Sequence, residues 1–192
     1  MFGELLRFPE HCVRNNRIFC IKILDHSVFM KSDKIILLGD PRLHLVSQPI
    51  EKTELADLQP VITDLHDILF EFKARFAHYG AFRGIAAPQI GVMKRLIYMY
   101  IDKPVVFINP VLENLSTEKM TVWDDCMCFP NLLVKLERHE SCTIKYLDMD
   151  WKSQVMHLKG SLSELLQHEY DHLDGVLSTQ RAIDNQSFRW RR

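Results

Sequence analysis

The chain has 192 residues, 47% of them apolar, which suits one globular domain with a sizeable core. Its net charge of -1 gives no basic excess, so direct, sequence-specific nucleic-acid binding is not expected as a main function. No apolar run approaches the roughly 18 residues needed to cross a bilayer, so no membrane partner is expected.

Residues 1–34 read as an N-terminal extension of uncertain role, with Ile18 to Leu24 as an added strand. Glu4, Glu10 and Asp25 argue against an acidic-poor transit peptide. From Leu58 to Ala77 the apolar positions Leu58, Val61, Ile62, Leu65, Ile68, Leu69 and Phe72 recur at helical spacing and predict a helix. Arg83 to Gly91 is rich in small residues with one proline, a composition that lets backbone approach another group closely. Taken alone it is a tight loop with a solvent-facing Gln89; in a catalytic setting the Gln89 amide can face a developing oxyanion.

Strands are expected near Leu96 to Tyr100, Val105 to Ile108, Leu132 to Leu136, Thr143 to Leu147 and Val155 to Lys159. Between the second and third of these, Trp123 to Pro130 alternates polar and apolar residues and closes on a proline, reading as a strand end or loop. It holds two of five cysteines, Cys126 and Cys128; the others are Cys12, Cys20 and Cys142. No C-x-x-C pair occurs, and an odd count at irregular spacing suggests a reducing, cytoplasmic setting rather than a disulfide framework.

A second helix is expected from about Leu162. Leu158, Leu162, Leu165, Leu166 and Leu173 supply its apolar stripe, Ser161 or Ser163 its cap, and Gly175 its end. It carries His168-Glu169-Tyr170-Asp171-His172, an H-E-x-x-H pattern. Positions i and i+4 share a helix face, so His168 and His172 can converge on one metal ion while Glu169 stands beside it as a proton acceptor and donor. Cys126 is the sharpest candidate for a third ligand. The basic end, Arg189 to Arg192, reads as a solvated tail. Two helices among several short strands fit an α+β domain, antiparallel sheets packed around the catalytic helix.

Three ordered segments resemble the peptide deformylase family: Phe82 to Gln89 its G-x-G-x-A-A-x-Q, Asp124 to Cys128 its E-G-C-x-S, and Gln167 to His172 its Q-H-E-x-x-H. Gly39 to Leu43 looks like its G-D-P-x-L turn and Phe107 to Pro110 like its I-N-P strand end. The resemblance runs from about Ile35 to Leu177. It implies a metal-dependent hydrolase that removes the formyl group from N-terminal formyl-methionine of nascent polypeptides. Cys126, His168 and His172 would hold one divalent metal ion, usually Fe2+ with Zn2+ or Ni2+ as substitutes. Glu169 would be general base and then acid. Gln89 and the Met127 backbone N–H would stabilise the oxyanion, and Gly84, Ile85 and Arg138 would contact the N-formyl-Met peptide. A transient ribosome contact would follow from that substrate, although the tail is short for docking.

Departures from the family pattern matter too. Phe82 stands at the first Gly of the segment, Asp124 replaces Glu, Asp125 replaces Gly beside the thiolate, Cys128 replaces a hydroxyl, and Leu133 stands where many members carry a substrate-contacting arginine. Asp125 raises two concerns, a backbone conformation reserved for glycine and a negative charge that disfavours a thiolate. The alternatives are therefore a deformylase-like amidase with another acyl substrate, or a metal-binding homologue with impaired catalysis.

Overall fold

A computed structural model of the chain describes residues 30–79 and 82–191. The strand expected at Ile18 to Leu24 lies outside the described residues. Two helices, α1 (Leu55–Arg75) and α2 (Ser161–Leu173), accompany eight strands among those residues: β1 (Gly84–Ala86), β2 (Leu96–Tyr100), β3 (Pro104–Glu113), β4 (Lys119–Asp125), β5 (Leu132–His139), β6 (Ser141–Leu147), β7 (Ser153–Lys159) and β8 (Phe188–Trp190). The class is α+β, as expected.

The strands form two antiparallel sheets. One runs β1-β2-β3-β6-β7 and the other β4-β5-β8. β2 begins and ends where the sequence placed it, whereas β3, β5, β6 and β7 run longer than their apolar runs because backbone pairing continues through polar residues. β8 is not expected from the sequence, and of β4 only the end, at Trp123 to Asp125, is read there as a strand end or loop. Only Asp124 of β4 and none of β8 is buried, so neither carries the apolar signal of a core strand.

α1 buries Leu58, Ile62, Leu65, Ile68, Leu69 and Phe72, the stripe read from the sequence. It starts three residues earlier than Leu58, and Pro60 sits within its second turn, where a proline forfeits one hydrogen bond. The short turn Lys31–Lys34 belongs to the folded body rather than to the extension: Lys31 Nζ lies 2.5 Å from Asp67 Oδ2, and the Ser32 N–H donates to Glu71 Oε2 at 2.8 Å. α2 lies among the strands with Leu166 and Leu173 fully buried beside Ile97, Phe107 and Ile144. It also buries Gln167, His168, Glu169, Asp171 and His172, a polar load that a purely structural helix would not carry.

The ends of α2 correct one expectation and support another. Gly160 occupies the position before its first turn and no side chain caps it; Ser163 points inward instead, donating to the His139 carbonyl at 2.9 Å. Gly175 follows the helix at φ +70°, and a Cβ there would stand 2.6 Å from the backbone of His44, so both conformation and space require glycine.

Candidate metal centre and catalytic cleft

Cys126 follows directly on β4 and meets α2 at the level of its two histidines. Cys126 Sγ lies 3.3 Å from His172 Nε2, and one donor atom from each of Cys126, His168 and His172 lies within 4.8 Å of the others. All three residues are buried. Ligands around a tetrahedral ion stand about 3.5 Å apart, so this thiol and two imidazoles suit one divalent metal. Glu169 Oε2 is buried without a hydrogen-bond partner among the described residues, as fits a group placed for a ligand.

Behind the ligands runs a charged relay. His168 Nδ1 lies 2.8 Å from Asp124 Oδ1, which turns the other ring nitrogen, Nε2, toward the centre. Asp124 Oδ2 accepts from Arg138 at 2.8 Å, Arg138 reaches on to Asp171, and Arg181 grips Asp171 with two bonds of 2.6 Å. Gln167 fastens α2 to the end of β5, its Nε2 donating to the His139 carbonyl at 2.9 Å and its Oε1 accepting from the His139 N–H at 3.0 Å. Arg138 is therefore committed. Only 3% exposed and absent from the cleft wall, it ties Asp124 of β4 to Asp171 of α2, a setting at odds with the substrate contact expected from the sequence.

Gln89 is not solvent-facing. It is 1% exposed in the short turn Ala87–Ile90; its Oε1 accepts from the Ala86 N–H at 2.7 Å, which aims Nε2 at Cys126 Sγ, 3.6 Å away. Nε2 is also 3.8 Å from the sulfur of Cys128. Gly84 faces Glu169 so closely that an added Cβ would stand 2.9 Å from Oε1. Ile85 has its side chain in the core, fully buried, leaving only its main chain for a ligand.

These groups open on a cleft of about 410 Å³, whose wall includes Phe82, Gly84, Gln89, Asp125, Cys126, Met127, Leu133, Glu164, His168, Glu169, Arg189 and Arg191. The C-terminal residues thus form part of the site. β8 pairs with β5, setting Arg189 beside Leu133, which in turn opposes Asp125 on β4. The Arg189 guanidinium stacks 4.0 Å over the Trp123 ring. Arg191 forms an ion pair with Asp125. Asp125 lies in ordinary strand backbone, not in the left-handed region, and its charge has a partner, so both concerns about it fall away. In the cleft wall the residue in the left-handed region is Phe82 instead, at φ +64°, held by edge contacts to Phe72 and Phe76 at 5.3 and 5.2 Å.

The sequence reading missed the His168 partner, Glu164, and the cleft arginines. Alternation along β4 would have put Asp124 on the side of Cys126, and the helical repeat puts Glu164 one turn before His168. Nothing in the basic tail signalled β8.

Burial opposes a charge on His168, yet the Asp124 carboxylate outweighs it and holds the imidazole pKa up to about 10. Burial likewise opposes the Asp124 carboxylate, but His168 and Arg138 hold it down to about 2. Burial, and then the charge of His168, pushes His172 well below its usual value. Burial, and then Cys128, raises the Cys126 thiol. Glu169 and Glu164 are both pushed up to about 7, burial being the main cause. Such a set brings together a thiol, two imidazoles and a buried carboxyl whose proton is loosely held near neutrality.

A sequence model described as "Polypeptide deformylase" matches residues 32–188. The peptide deformylase of Rhizobium meliloti is 35% identical over 149 residues, 74% of this chain and 80% of that protein. The peptide deformylase of Dictyoglomus thermophilum is 38% identical over 148 residues, 77% of this chain and 90% of that one. The crystal structure of the Thermotoga maritima peptide deformylase superposes with a TM-score of 0.69 at 30% identity, covering 78% of this chain and 97% of that one. The Synechococcus elongatus peptide deformylase, solved in complex with actinonin, gives 0.72 at 26% identity, with 80% of each chain covered.

Proposed function

Because this chain belongs to the polypeptide deformylase family, we propose that Cys126, His168 and His172 hold one divalent ion, Fe2+ in the cell with Zn2+ or Ni2+ as substitutes. The protein is a metal-dependent hydrolase that removes the N-formyl group from the N-terminal formyl-methionine of nascent polypeptides, releasing formate. When bound, the ion supplies Lewis acidity at the formyl carbonyl and readies water for attack near neutral pH.

The residues around it supply the remainder. Glu169, fixed against Gly84, takes a proton from the attacking water and delivers it to the amine that leaves as the C–N bond breaks. Gln89 Nε2 and the Met127 N–H donate to the oxyanion. β1 is an edge strand, so the main chain at Gly84 and Ile85 can pair with the extended substrate. The ion and these roles rest on one observation above all, the convergence of a buried thiol and two imidazoles beside a carboxyl kept near neutrality.

The same reading treats residues 1–192 as one domain, places the protein in the cytoplasm, and has it meet its substrate at the ribosome. No helix among the described residues is long and apolar enough to cross a membrane. The test is formate release from formyl-Met peptides by protein loaded with Fe2+ under anaerobic conditions. Release well above a Glu169→Ala control is expected; equal rates would defeat the reading.

A further inference from the structure

We propose that Arg189 is a specificity-determining residue of the cleft, favouring formyl-methionyl substrates that carry an acidic side chain at their third residue. The proposal rests on the deformylase reading and extends it beyond the formylated methionine. Arg189 lies on β8, its backbone level with Leu133 and, across β5, with Asp125. From there its guanidinium leans back over the Trp123 ring, 4.0 Å from the centroid, and both residues line the cleft. The stack covers one face of the guanidinium and leaves its N–H edge for an acceptor. Among the described residues no carboxylate pairs with it. The other arginines of the cleft wall are engaged: Arg191 with Asp125, and Arg83 with Ser161, whose carbonyl accepts at 3.3 Å.

The distance of Arg189 from the metal ligands picks out the substrate residue it meets. Trp123 precedes Cys126 by three residues, which at roughly 3.3 Å per residue is about 10 Å along the strand. A peptide extended along the free edge of β1, with its formyl carbon at the ligands, covers that distance by about its third residue. A carboxylate there accepts paired N–H bonds from the guanidinium fork, and the indole already restrains that fork, so little side-chain freedom is lost on binding. The acids of the cleft leave room for another carboxylate: Asp124 and Asp125 are paired with Arg138 and Arg191, and Glu164, pushed up to about 7 chiefly by burial, is only partly charged at neutral pH. A lysine in the same place meets like charge.

The test compares kcat/KM for formate release from C-terminally amidated formyl-Met-Ala-Glu, formyl-Met-Ala-Gln and formyl-Met-Ala-Lys, using metal-loaded parent, Arg189→Met and Arg189→Lys near neutral pH. Amidation removes the terminal carboxylate as a rival for the guanidinium. The parent is expected to favour Glu over Gln about fivefold and over Lys about tenfold or more, through KM with kcat unchanged. Raising the salt to about 0.5 M should shrink the Glu-to-Lys ratio, which a merely structural role would not do. In Arg189→Met, whose stem still covers Trp123, both ratios should fall below about twofold, while Arg189→Lys keeps part of the preference. Parent ratios below about twofold, or an Arg189→Met enzyme that keeps the parent's ratios, would overturn the role of Arg189 and leave the deformylase reading standing. No formate from any of the three peptides overturns the deformylase reading and this proposal with it.

Discussion

Arg191, the residue after β8, forms an ion pair with Asp125, the residue immediately before the proposed thiolate ligand. Its guanidinium also lies 6.0 Å from the Phe76 ring and 5.8 Å from that of Phe82, with the side chain only 7% exposed. Removing either partner leaves a poorly solvated charge, so Asp125→Asn and Arg191→Met should each destabilise by about 1–3 kcal/mol. The double variant should lose less than the two together, with a coupling of about 1–2 kcal/mol in urea unfolding. Strict additivity would mean that the contact does not hold β8 in place.

Gly84 and Glu169 are in near contact, and the cost of disturbing them falls on catalysis. Alanine at 84 would put a Cβ 2.9 Å from Oε1 and 3.0 Å from Cγ of Glu169. The obstructed atoms are on a side chain that can swing aside, so the fold survives. Displacing a general base by about 1 Å costs on the order of a hundredfold in rate. Gly84→Ala should therefore bind a full equivalent of metal, as measured by elemental analysis, while kcat falls about a hundredfold. A kcat near the parent's would show that Glu169 need not sit where this structure holds it.

The relay behind His168 should act through metal retention. Asp124→Asn keeps the shape but removes the carboxylate charge that orients the ring, so metal affinity should fall about 10–100-fold in competition with a chelator. Arg138→Met leaves Asp124 and Asp171 buried with one partner fewer each, and about 3–5 kcal/mol of stability should go with it. A variant at 138 that kept its stability but lost affinity for peptide would instead restore Arg138 as a substrate contact.

How far these relations were legible in the sequence depended on whether they were local. The metal ligands on α2 share one turn, and the apolar stripe of α1 recurs every three or four residues, so one-dimensional spacing carried both. Arg191 and Asp125 are 66 residues apart, and their pairing exists only because β8 adds to β5. Backbone hydrogen bonds hold β8, and a strand with every side chain exposed leaves no apolar pattern to read. The setting of Arg138 is hidden in the sequence for a related reason. A charged residue on a strand is read as a surface group until the structure shows two carboxylates folded around it.

Loading the site should release protons, in a number set by the groups that ligate. In protein stripped of metal, the Asp124 carboxylate outweighs burial and holds the His168 pKa up to about 10, while burial raises the Cys126 thiol, so both carry protons at pH 7. Ligation needs a neutral imidazole and a thiolate, so about two protons should leave per ion, and apparent affinity should climb steeply with pH. The same shifts fix how the stripped protein's stability varies with pH. His168 is raised, so its contribution is complete below its ordinary 6.5 and is lost as pH rises toward 10. Asp124 is lowered, so its contribution is complete above its ordinary 3.8 and is lost as pH falls through about 2. Stripped protein should therefore melt at its highest temperature between these two ordinary values and lose stability from pH 7 to 10. Loaded protein should hold its melting temperature over that alkaline range, because a ligating imidazole has no proton left to lose. Calorimetric titration of the stripped protein at pH 7, in buffers of different ionisation enthalpy, counts the protons directly. A count near zero would mean that His168 and Cys126 do not both ligate, and the proposed three-ligand site would have to be abandoned.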